Sequence, residues 1–493
     1  MVQIDFFKGY ADALTGRDRE FEELLSAGDI DAVKEKMGSR MEKADEALRE
    51  YNVSGHEVMK REDKLITDKR GNFIRKEAVW KLPIPYQSYI NEVALVFLYG
   101  RPVKWVQLSE QTDAAFGRFV DVLKRTRFDS KIRQCKRLAG AETESAMLFR
   151  VYKGDDGKPN VQVRVLARSK GDEIYTRFDQ YENLITAAWG YYAKEENNTV
   201  AYHFDVFTPK ATHRCVRRGA SWEVEVEPNF VGKIPLIIFH QEKEWKGVER
   251  LIQREEHIAS RTADTNDYFA DPVMVMAAEL IKNMPEKKEA AKLLVTNDKD
   301  GTDKAARYLT WDSAPQSKKD ELEWLQGQIL SKTFTPKISL DALKSLSNLS
   351  AKALRTVMLL ADIKAARHKE VHDELLDRTA SLITSIIGNV LDISLKGECE
   401  RLVIGHEFQE PFGDDVKDGL DNIIRSIEAG VLSEESAVEM NPLVKNVERE
   451  KERLSAEKSG RERQQLSVFG GLDGDVGPQT FDGGNRAAAE MKS

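Results

Sequence analysis

Two histidines, His368 and His372, stand four positions apart in a stretch whose apolar residues follow a helical period. At that spacing both imidazoles lie on one face of a helix, where they could hold a metal ion such as Zn²⁺. The stretch matches neither HExxH nor HxxEH, because Glu370 falls between the two arrangements. Polar residues within an apolar seam commonly set helix register. We therefore expect packed or interface histidines, with a His-based metallohydrolase as an alternative.

The helix that carries this pair is predicted to begin at Ser350. Its apolar seam alternates steps of four and three residues, which is typical of a coiled-coil-like face. The seam consists of Leu354, Met358, Ala361, Ala365, His368, His372, Leu375, Thr379, Leu382 and Ile386.

Other motifs that carry catalytic chemistry are missing from the sequence. It contains no GxxxxGK[ST], no GxSxG and no GxGxxG after a strand. The acidic pairs Glu255-Glu256 and Asp414-Asp415 are expected on a solvated face or at a helix start. We predict a protein that is not an enzyme, with no catalytic residue, no metal and no cofactor.

Length and composition limit the class of protein. The chain has 493 residues, 41% of them apolar, enough for two to four structural units with sizeable cores. Its net charge of −8 gives no global basic excess for static nucleic-acid binding. Three dispersed cysteines without a CxxC motif, and an N-terminus without the core of a signal peptide, favour a reducing cytosol. No stretch approaches the length of a membrane-spanning helix.

The order of predicted elements is α+β. Residues 1–139 are predicted to be mainly helical, and the apolar helix 88–100 ends at Gly100 with Pro102 just beyond it. From Ser145 to Phe239 the apolar period becomes two, which predicts an antiparallel sheet of about six strands.

A charged helix, 245–269, follows the sheet. Its apolar seam of Val248, Leu251, Ile252 and Ile258 is narrower than that of a core-facing helix. A shorter helix, 318–332, has a similar seam of Leu322, Leu325 and Ile329. Antiparallel pairing of the two would enclose the small module 271–317 at the end of a stalk.

The C-terminal third contains a polar loop, the long helix and further helices. Residues 333–349 are turn-rich, and a strand is predicted at 399–408 after the long helix. Helices follow to about Lys458, broken at Gly430 and Pro442. The remaining tail has almost no apolar periodicity and is predicted to be disordered.

Three stretches give the chain a resemblance to the portal proteins of tailed bacteriophages, most nearly the branch of long-tailed phages of Bacillus-type hosts. The first is Gly100-Arg101-Pro102-Val103. The second is Ile234-Pro235 with its strand and charged helix, followed by Asn266, Phe269 and Pro272-Val273-Met274-Val275. The third is residues 429–436 with Asn441-Pro442 and the charged segment 447–458. They occur in the family's order across about residues 80–460.

This resemblance implies a multi-domain, ring-forming portal fold: a mainly helical wing with an antiparallel β-sheet, a helical stem, a small α/β clip and a helical crown. The implied domains are 1–139, helical part of the wing; 140–244, β-rich part of the wing; 245–270, stem helix; 271–317, clip; 318–332, second stem helix; 333–349, tunnel loop; 350–412, long wing helix and return strand; 413–458, crown; and 459–493, disordered tail.

The resemblance also suggests functional residues. For the tunnel lining these are Lys332, Lys337, Asp341 and Lys344, although Lys337, Asp341 and Lys344 can equally be solvated loop charges. The stem residues are Arg250, Arg254, Glu255 and Arg261. The clip residues that would contact terminase or adaptor proteins are Lys282, Lys287, Lys288 and Lys292. Acidic and basic residues are intermixed on the stem, and such balance would let DNA slide rather than bind.

By resemblance the protein would form a dodecameric ring at one capsid vertex, as part of the virion and, during assembly, in the host cytoplasm. Its partners would be double-stranded DNA in the tunnel, the terminase large subunit, head-completion or adaptor proteins, and the major capsid and scaffolding proteins, with no membrane. The remaining alternative is a non-portal ring or scaffold protein that acts through protein contacts alone.

Overall fold

The computed structural model describes residues 19–68, 70–155, 157–195, 198–270, 273–276, 306–309, 315–337, 351–410, 416–441, 443–444 and 447–470. The chain divides into two compact units, Met1–Pro411 and Phe412–Ser493.

The first unit contains most of the secondary structure. It begins with α1 (Arg19–Ala27), α2 (Ile30–Glu35), β1 (Gly38–Ser39), α3 (Met41–Tyr51), β2 (Lys64–Thr67), β3 (Phe73–Glu77), α4 (Tyr86–Tyr99), β4 (Lys104–Gln107), α5 (Asp113–Thr126) and α6 (Phe128–Glu142). The strands β5 (Glu144–Lys153), β6 (Pro159–Leu166), β7 (Glu173–Phe178), β8 (Leu184–Lys194), β9 (Val200–Phe207), β10 (Ala211–Arg218), β11 (Ser221–Pro228) and β12 (Leu236–His240) follow. The unit ends with α7 (Glu249–Ala270), β13 (Val273–Met276), β14 (Ala306–Leu309), α8 (Pro315–Lys332), α9 (Ala351–Ile386), α10 (Lys396–Arg401) and β15 (Ile404–Glu407).

The second unit is helical where it is described. It contains α11 (Val416–Glu428), α12 (Glu434–Met440) and α13 (Val447–Gly470). The Ser433 hydroxyl caps α12 by accepting a hydrogen bond from the Ser436 amide, which satisfies one of the free N–H groups at a helix start. Because α13 continues to Gly470, the predicted boundary between crown and tail at residue 458 does not mark the end of the helix.

The strands form two larger sheets rather than the single six-stranded sheet predicted between Ser145 and Phe239. One sheet has the order β1-β7-β8-β9-β10-β11 and the other β12-β5-β6. Every pairing within them is antiparallel. The prediction of a single sheet is wrong. The alternation of apolar and polar residues shows which side of a strand is buried, but which strands pair with each other depends on segments far apart in the sequence.

The two sheets pack face to face between layers of helices. Ala146, Leu148 and Leu236 of the three-stranded sheet meet Ile174, Ala187 and Phe207 of the six-stranded sheet in one apolar cluster. The opposite face of the six-stranded sheet is covered by α1 and α2 through Phe21, Leu25, Ile30 and Val33. The opposite face of the three-stranded sheet packs on α4, α5, α6 and α9 in the largest core of the unit.

The part of the predicted α9 seam that the structure describes, from Met358 onward, packs within the same chain. Met358, Ala361 and Ala365 pack on Val93 and Phe97 of α4, and Leu382, Ile383 and Ile386 join the largest core. The seam therefore contacts a mixed helix and sheet surface rather than a second helix of a coiled coil. Ser350, the predicted cap, lies outside the described residues.

Several elements differ in extent from the predictions. The mainly helical N-terminal region also contains the antiparallel hairpin β2–β3, and β4 pairs with β15 far along the chain. The strand predicted at 399–408 is short, because residues 396–401 are helical. The charged helix begins at Glu249 rather than Trp245, because Gly247 has a φ of +88° and interrupts helical geometry there.

None of the helices in the described part of the chain is both long enough and apolar enough to cross a membrane.

Candidate functional site

The helices α7 and α8, which correspond to the predicted helices 245–269 and 318–332, contact each other. Val248, Ile252 and Ile329 are almost fully buried in one cluster, which also takes in Tyr86 and Ile90 of α4. Arg254 of α7 donates a hydrogen bond to Glu321 of α8, with Nη2 and Oε1 2.8 Å apart. β13 and β14 pair antiparallel between the two helices. We call α7 and α8 together the stem.

The polar side of α7 is covered by an extended strap, residues 80–85. Three consecutive acceptors on one face of the helix, Glu256, Ser260 and Asp264, receive the backbone N–H groups of Ile84, Leu82 and Trp80 at 2.8, 3.0 and 2.7 Å.

The spacings of helix and strap match. Four residues of an α-helix advance about 6 Å, close to the advance of two residues in an extended chain. The positions skipped between the bonded amides include Pro83, and Pro85 follows Ile84; neither proline has an N–H to satisfy. The strap therefore explains how a helix with a narrow apolar seam is held within a single chain.

The acidic pair Glu255-Glu256 is buried, so the predicted solvated position for it is wrong. The two residues are 6% and 1% exposed. Glu255 accepts a hydrogen bond from the Tyr86 hydroxyl at 2.8 Å, and burial together with the charge of Glu256 raises the pKa of Glu255. Asp264 pairs with Arg61 at 2.6 Å. The acidic residues that were expected to balance the basic charge on the stem surface therefore form contacts inside the chain instead.

His56 forms a buried pair with Glu256. Its Nδ1 lies 2.6 Å from Glu256 Oε1, and its Nε2 lies 2.9 Å from the Glu50 carbonyl oxygen. Both neighbours are acceptors, so only the doubly protonated imidazolium satisfies both. Burial lowers the pKa of His56, but the hydrogen bond and charge of Glu256 raise it more, and it lies above its ordinary value.

A second buried cluster surrounds Glu244, just before the stem. Its carboxylate accepts hydrogen bonds from Lys136 of α6, from Lys364 of α9 at 2.8 Å and from His368 of α9 at 3.1 Å. Lys136 is fully buried. Burial alone would raise the pKa of Glu244, yet Lys136, His368 and Lys364 hold it well below its ordinary value. We call these four residues the Glu244 cluster.

The Glu244 cluster joins three elements that are far apart in sequence: α6, the segment leading into α7, and α9. Burial lowers the pKa values of His368 and Lys136. A buried charge stays ionised only when partners of opposite charge replace water. The cluster therefore ties the start of the stem to the long helix.

The two histidines of α9 contact different partners. His372 Nδ1 lies 2.9 Å from the Tyr99 hydroxyl, and burial holds the pKa of His372 well below its ordinary value. The neutral ring then accepts a hydrogen bond from the Tyr99 hydroxyl, whereas His368 contacts Glu244. No group of three or more His, Cys, Asp or Glu side chains in the described part of the chain is arranged to hold a metal ion.

The predicted basic stem and tunnel residues are exposed where they are described. Arg250, Arg254 and Arg261 lie on the surface of α7, Lys332 ends α8, and Lys337 is exposed five residues later.

The first residues of the predicted tunnel loop are packed rather than free. Thr335 and Pro336 are buried, and the Pro336 carbonyl accepts a hydrogen bond from Tyr89 at 2.7 Å. Asp341, Lys344 and the clip lysines Lys282, Lys287, Lys288 and Lys292 lie outside the described residues, as does the pair Asp414-Asp415.

Sequence reasoning did not identify Glu244, Lys136 or His56 as important. Each stands in a charged stretch that resembles ordinary surface sequence. The available sequence signal for this buried region was Trp245, the residue that follows Glu244. In the structure Trp245 is fully buried, and its indole N–H donates a hydrogen bond to Glu50.

Comparisons with known proteins identify the family to which this chain is similar. The family model described as "Phage portal protein, SPP1 Gp6-like" matches residues 30–464. A comparison with curated proteins finds no match. Among solved structures, a chain of "Neck of native GTA particle computed with C12 symmetry" is similar, with a TM-score of 0.39 and 10% identity over 74% of this chain and 90% of that chain. That structural likeness is too weak to carry an argument about function.

Proposed function

The chain belongs to the phage portal protein family, SPP1 Gp6-like, and from this premise we propose that it forms a closed dodecameric ring at one vertex of a phage capsid. Portal proteins are structural components of the virion and not enzymes. The observation that carries the proposal is the match of the family model to residues 30–464.

The stem is the proposed wall of a channel for double-stranded DNA during packaging and ejection. Two features support this. The helices α7 and α8 pair through a narrow apolar contact, and Arg250, Arg254 and Arg261 of α7 are exposed. Arg254 is paired with Glu321, which reduces the free positive charge. Each phosphate that a wall neutralises strengthens binding and its salt dependence, so partial neutralisation favours passage.

The proposed partners bind at other parts of the chain. The module 271–317, with Lys282, Lys287, Lys288 and Lys292, would contact the terminase large subunit and later the head-completion or adaptor proteins. Residues 333–349, with Lys337, Asp341 and Lys344, would lie next to DNA in the tunnel. The wing and crown regions would contact the major capsid and scaffolding proteins. Assembly in the host cytoplasm would precede incorporation into the virion.

Electron microscopy of the purified chain tests the proposal. We expect negative-stain images of rings with a central hole, and a dodecameric mass by mass photometry. The matched control is the same chain in denaturant, which must show no rings. Monodisperse monomers at every concentration would contradict ring formation.

A further inference from the structure

The hairpin β2–β3 is exposed on both of its faces. Leu65, Phe73 and Ile74 are 65%, 63% and 58% exposed. A two-stranded hairpin is at best marginally stable in water, and an apolar patch left open on a folded chain commonly marks an interaction surface. The hairpin therefore has the composition of an arm that packs on a partner.

The turn of this arm carries an exposed arginine, Arg70. The Asp68 carboxylate accepts hydrogen bonds from the backbone N–H groups of Arg70 and Asn72, each at 2.8 Å. Gly71 takes the left-handed conformation, with a φ of +84°, that the turn requires. Lys64 adds a further exposed positive charge, whereas Arg75 and Lys76 pair with Glu77 and Asp63.

An acidic cavity lies beside the first half of α7. Its volume is about 190 Å³, and five glutamates line it together with Arg49, Lys60 and His56. Those glutamates are Glu46, Glu50, Glu57, Glu249 and Glu256. Lys243 pairs with Glu50 and Glu249, Lys60 with Glu57 and His56 with Glu256, and Glu46 is exposed at the cavity. A neighbouring groove of about 860 Å³ along α3 shares Glu46, Arg49 and Gly55 with the cavity and adds Glu42 and Asp45.

Two buried oxygens in the cavity wall lack hydrogen-bond donors. Gln87 and Glu256 are 4% and 1% exposed, and Gln87 Oε1 and Glu256 Oε2 have no hydrogen-bond partner among the described residues. A buried acceptor left without a donor costs about 1–3 kcal/mol, and more when it is charged. A donor that enters the cavity would satisfy these oxygens, and a guanidinium has five N–H groups in a planar fork.

We propose that the hairpin of one copy of this chain docks on a neighbouring copy and places Arg70 in the acidic cavity between α3 and α7. The inference rests on the proposed ring and names the contact that closes it. A ring needs two different surfaces of one chain that fit each other, and a basic arm and an acidic cavity meet that condition. Leu65, Phe73 and Ile74 would then be covered by the same neighbour.

Charge reversal in two separate variants tests the contact. In Arg70→Glu the arm repels an acidic cavity, and in Glu46→Arg the cavity repels a basic arm. For each variant alone, the chain concentration at which half of the material is in rings, measured by mass photometry, is expected to rise about tenfold or more. Arg125→Glu, at an exposed site on α5, is the matched control and should assemble like the wild type.

Mixing the two variants identifies the contact as one between copies. In an equimolar mixture each acidic arm can meet a basic cavity and each basic arm an acidic cavity, so rings are expected to return. The double variant should also assemble. Rings of Arg70→Glu as stable as wild type, or no recovery on mixing, would overturn the inference while leaving the proposed function intact. A wild type that never forms rings would overturn both. Circular dichroism confirms that each variant is folded.

Discussion

At the scale of single residues, the chain buries several charged side chains in its interior. The Glu244 cluster contains two lysines and one glutamate that are almost fully buried, with His368 beside them. Replacing such groups by apolar residues would commonly stabilise a fold, whereas removing one partner alone destabilises it. The cluster therefore specifies how α6, α9 and the start of the stem are positioned.

Glu244→Gln should weaken this part of the fold. The amide keeps the size of the side chain but leaves Lys136 and Lys364 without a counterion, so we expect the free energy of local opening to fall by about 3–5 kcal/mol. Hydrogen exchange of the buried amides of α6 measures it. Glu242→Gln, at an exposed site in the same loop, is the control and should change it by less than about 0.5 kcal/mol. A similarly small loss for Glu244→Gln would show that other groups neutralise Lys136.

The pair of His56 and Glu256 predicts a pH dependence. The pKa of His56 is raised in the folded chain above 6.5, so its stabilising effect is fully present below that value. The effect is lost as pH rises through the folded pKa. The difference in opening free energy between wild type and His56→Gln, measured by hydrogen exchange in α7, should therefore shrink as pH rises. Glu256→Gln should remove most of this pH dependence, and a difference that grows with pH would contradict the assignment.

At the scale of elements, the stem is stabilised in two ways along its length. Apolar contacts join α7 to α8 and α4, and the strap supplies three backbone hydrogen bonds to side chains of α7. Such hydrogen bonds are directional and fix the register of strap and helix, whereas apolar contacts tolerate small displacements. The strap thus fixes the register of α7, and the apolar seam supplies its contact with α8 and α4.

Ile329→Ala should loosen α8 from α7. Ile329 is fully buried between the helices, and truncation of such a side chain commonly costs about 2–5 kcal/mol. We expect faster hydrogen exchange throughout α8. Trp324→Ala is the matched control, because Trp324 lies on the same helix and is 58% exposed. Equal exchange in the two variants would show that the apolar contact does not hold the helix.

At the scale of the whole molecule, the proposed function gives the surface charges two roles, ring assembly and DNA passage. The chain has a net charge of −8, and the basic residues proposed to meet DNA are few. Exposed apolar side chains on β2–β3 indicate that the single chain is not the complete assembly. Variants on different surfaces would therefore test the two proposed roles separately.

A variant carrying both Lys337→Glu and Lys344→Glu should impair DNA packaging while rings still form. Two reversed charges next to the duplex would repel phosphates electrostatically. An in vitro packaging assay measures the amount of DNA protected from nuclease, and mass photometry measures the rings. Lys124→Glu, on the exposed surface of α5, serves as control. Unchanged packaging would show that these side chains do not take part in passage.

The sequence by itself determined the succession of a mainly helical region, a β-rich region and further helices. It also determined the two stem helices and the buried seam of α9, because helical periodicity records which side of an element is apolar. The motifs in their order also indicated the family. The terminal extent of α13 and the hairpin β2–β3 were missed, because charged and polar residues dominate both stretches.

Only the tertiary structure decided which strands share a sheet and which charges are buried. Glu255 and Glu256 resemble surface residues in sequence, yet Tyr86, His56 and the strap enclose them. The partners of Glu244 are more than a hundred positions away in both directions along the chain. A local pattern cannot reveal such burial, since the free energy that permits it comes from groups that only the fold brings together.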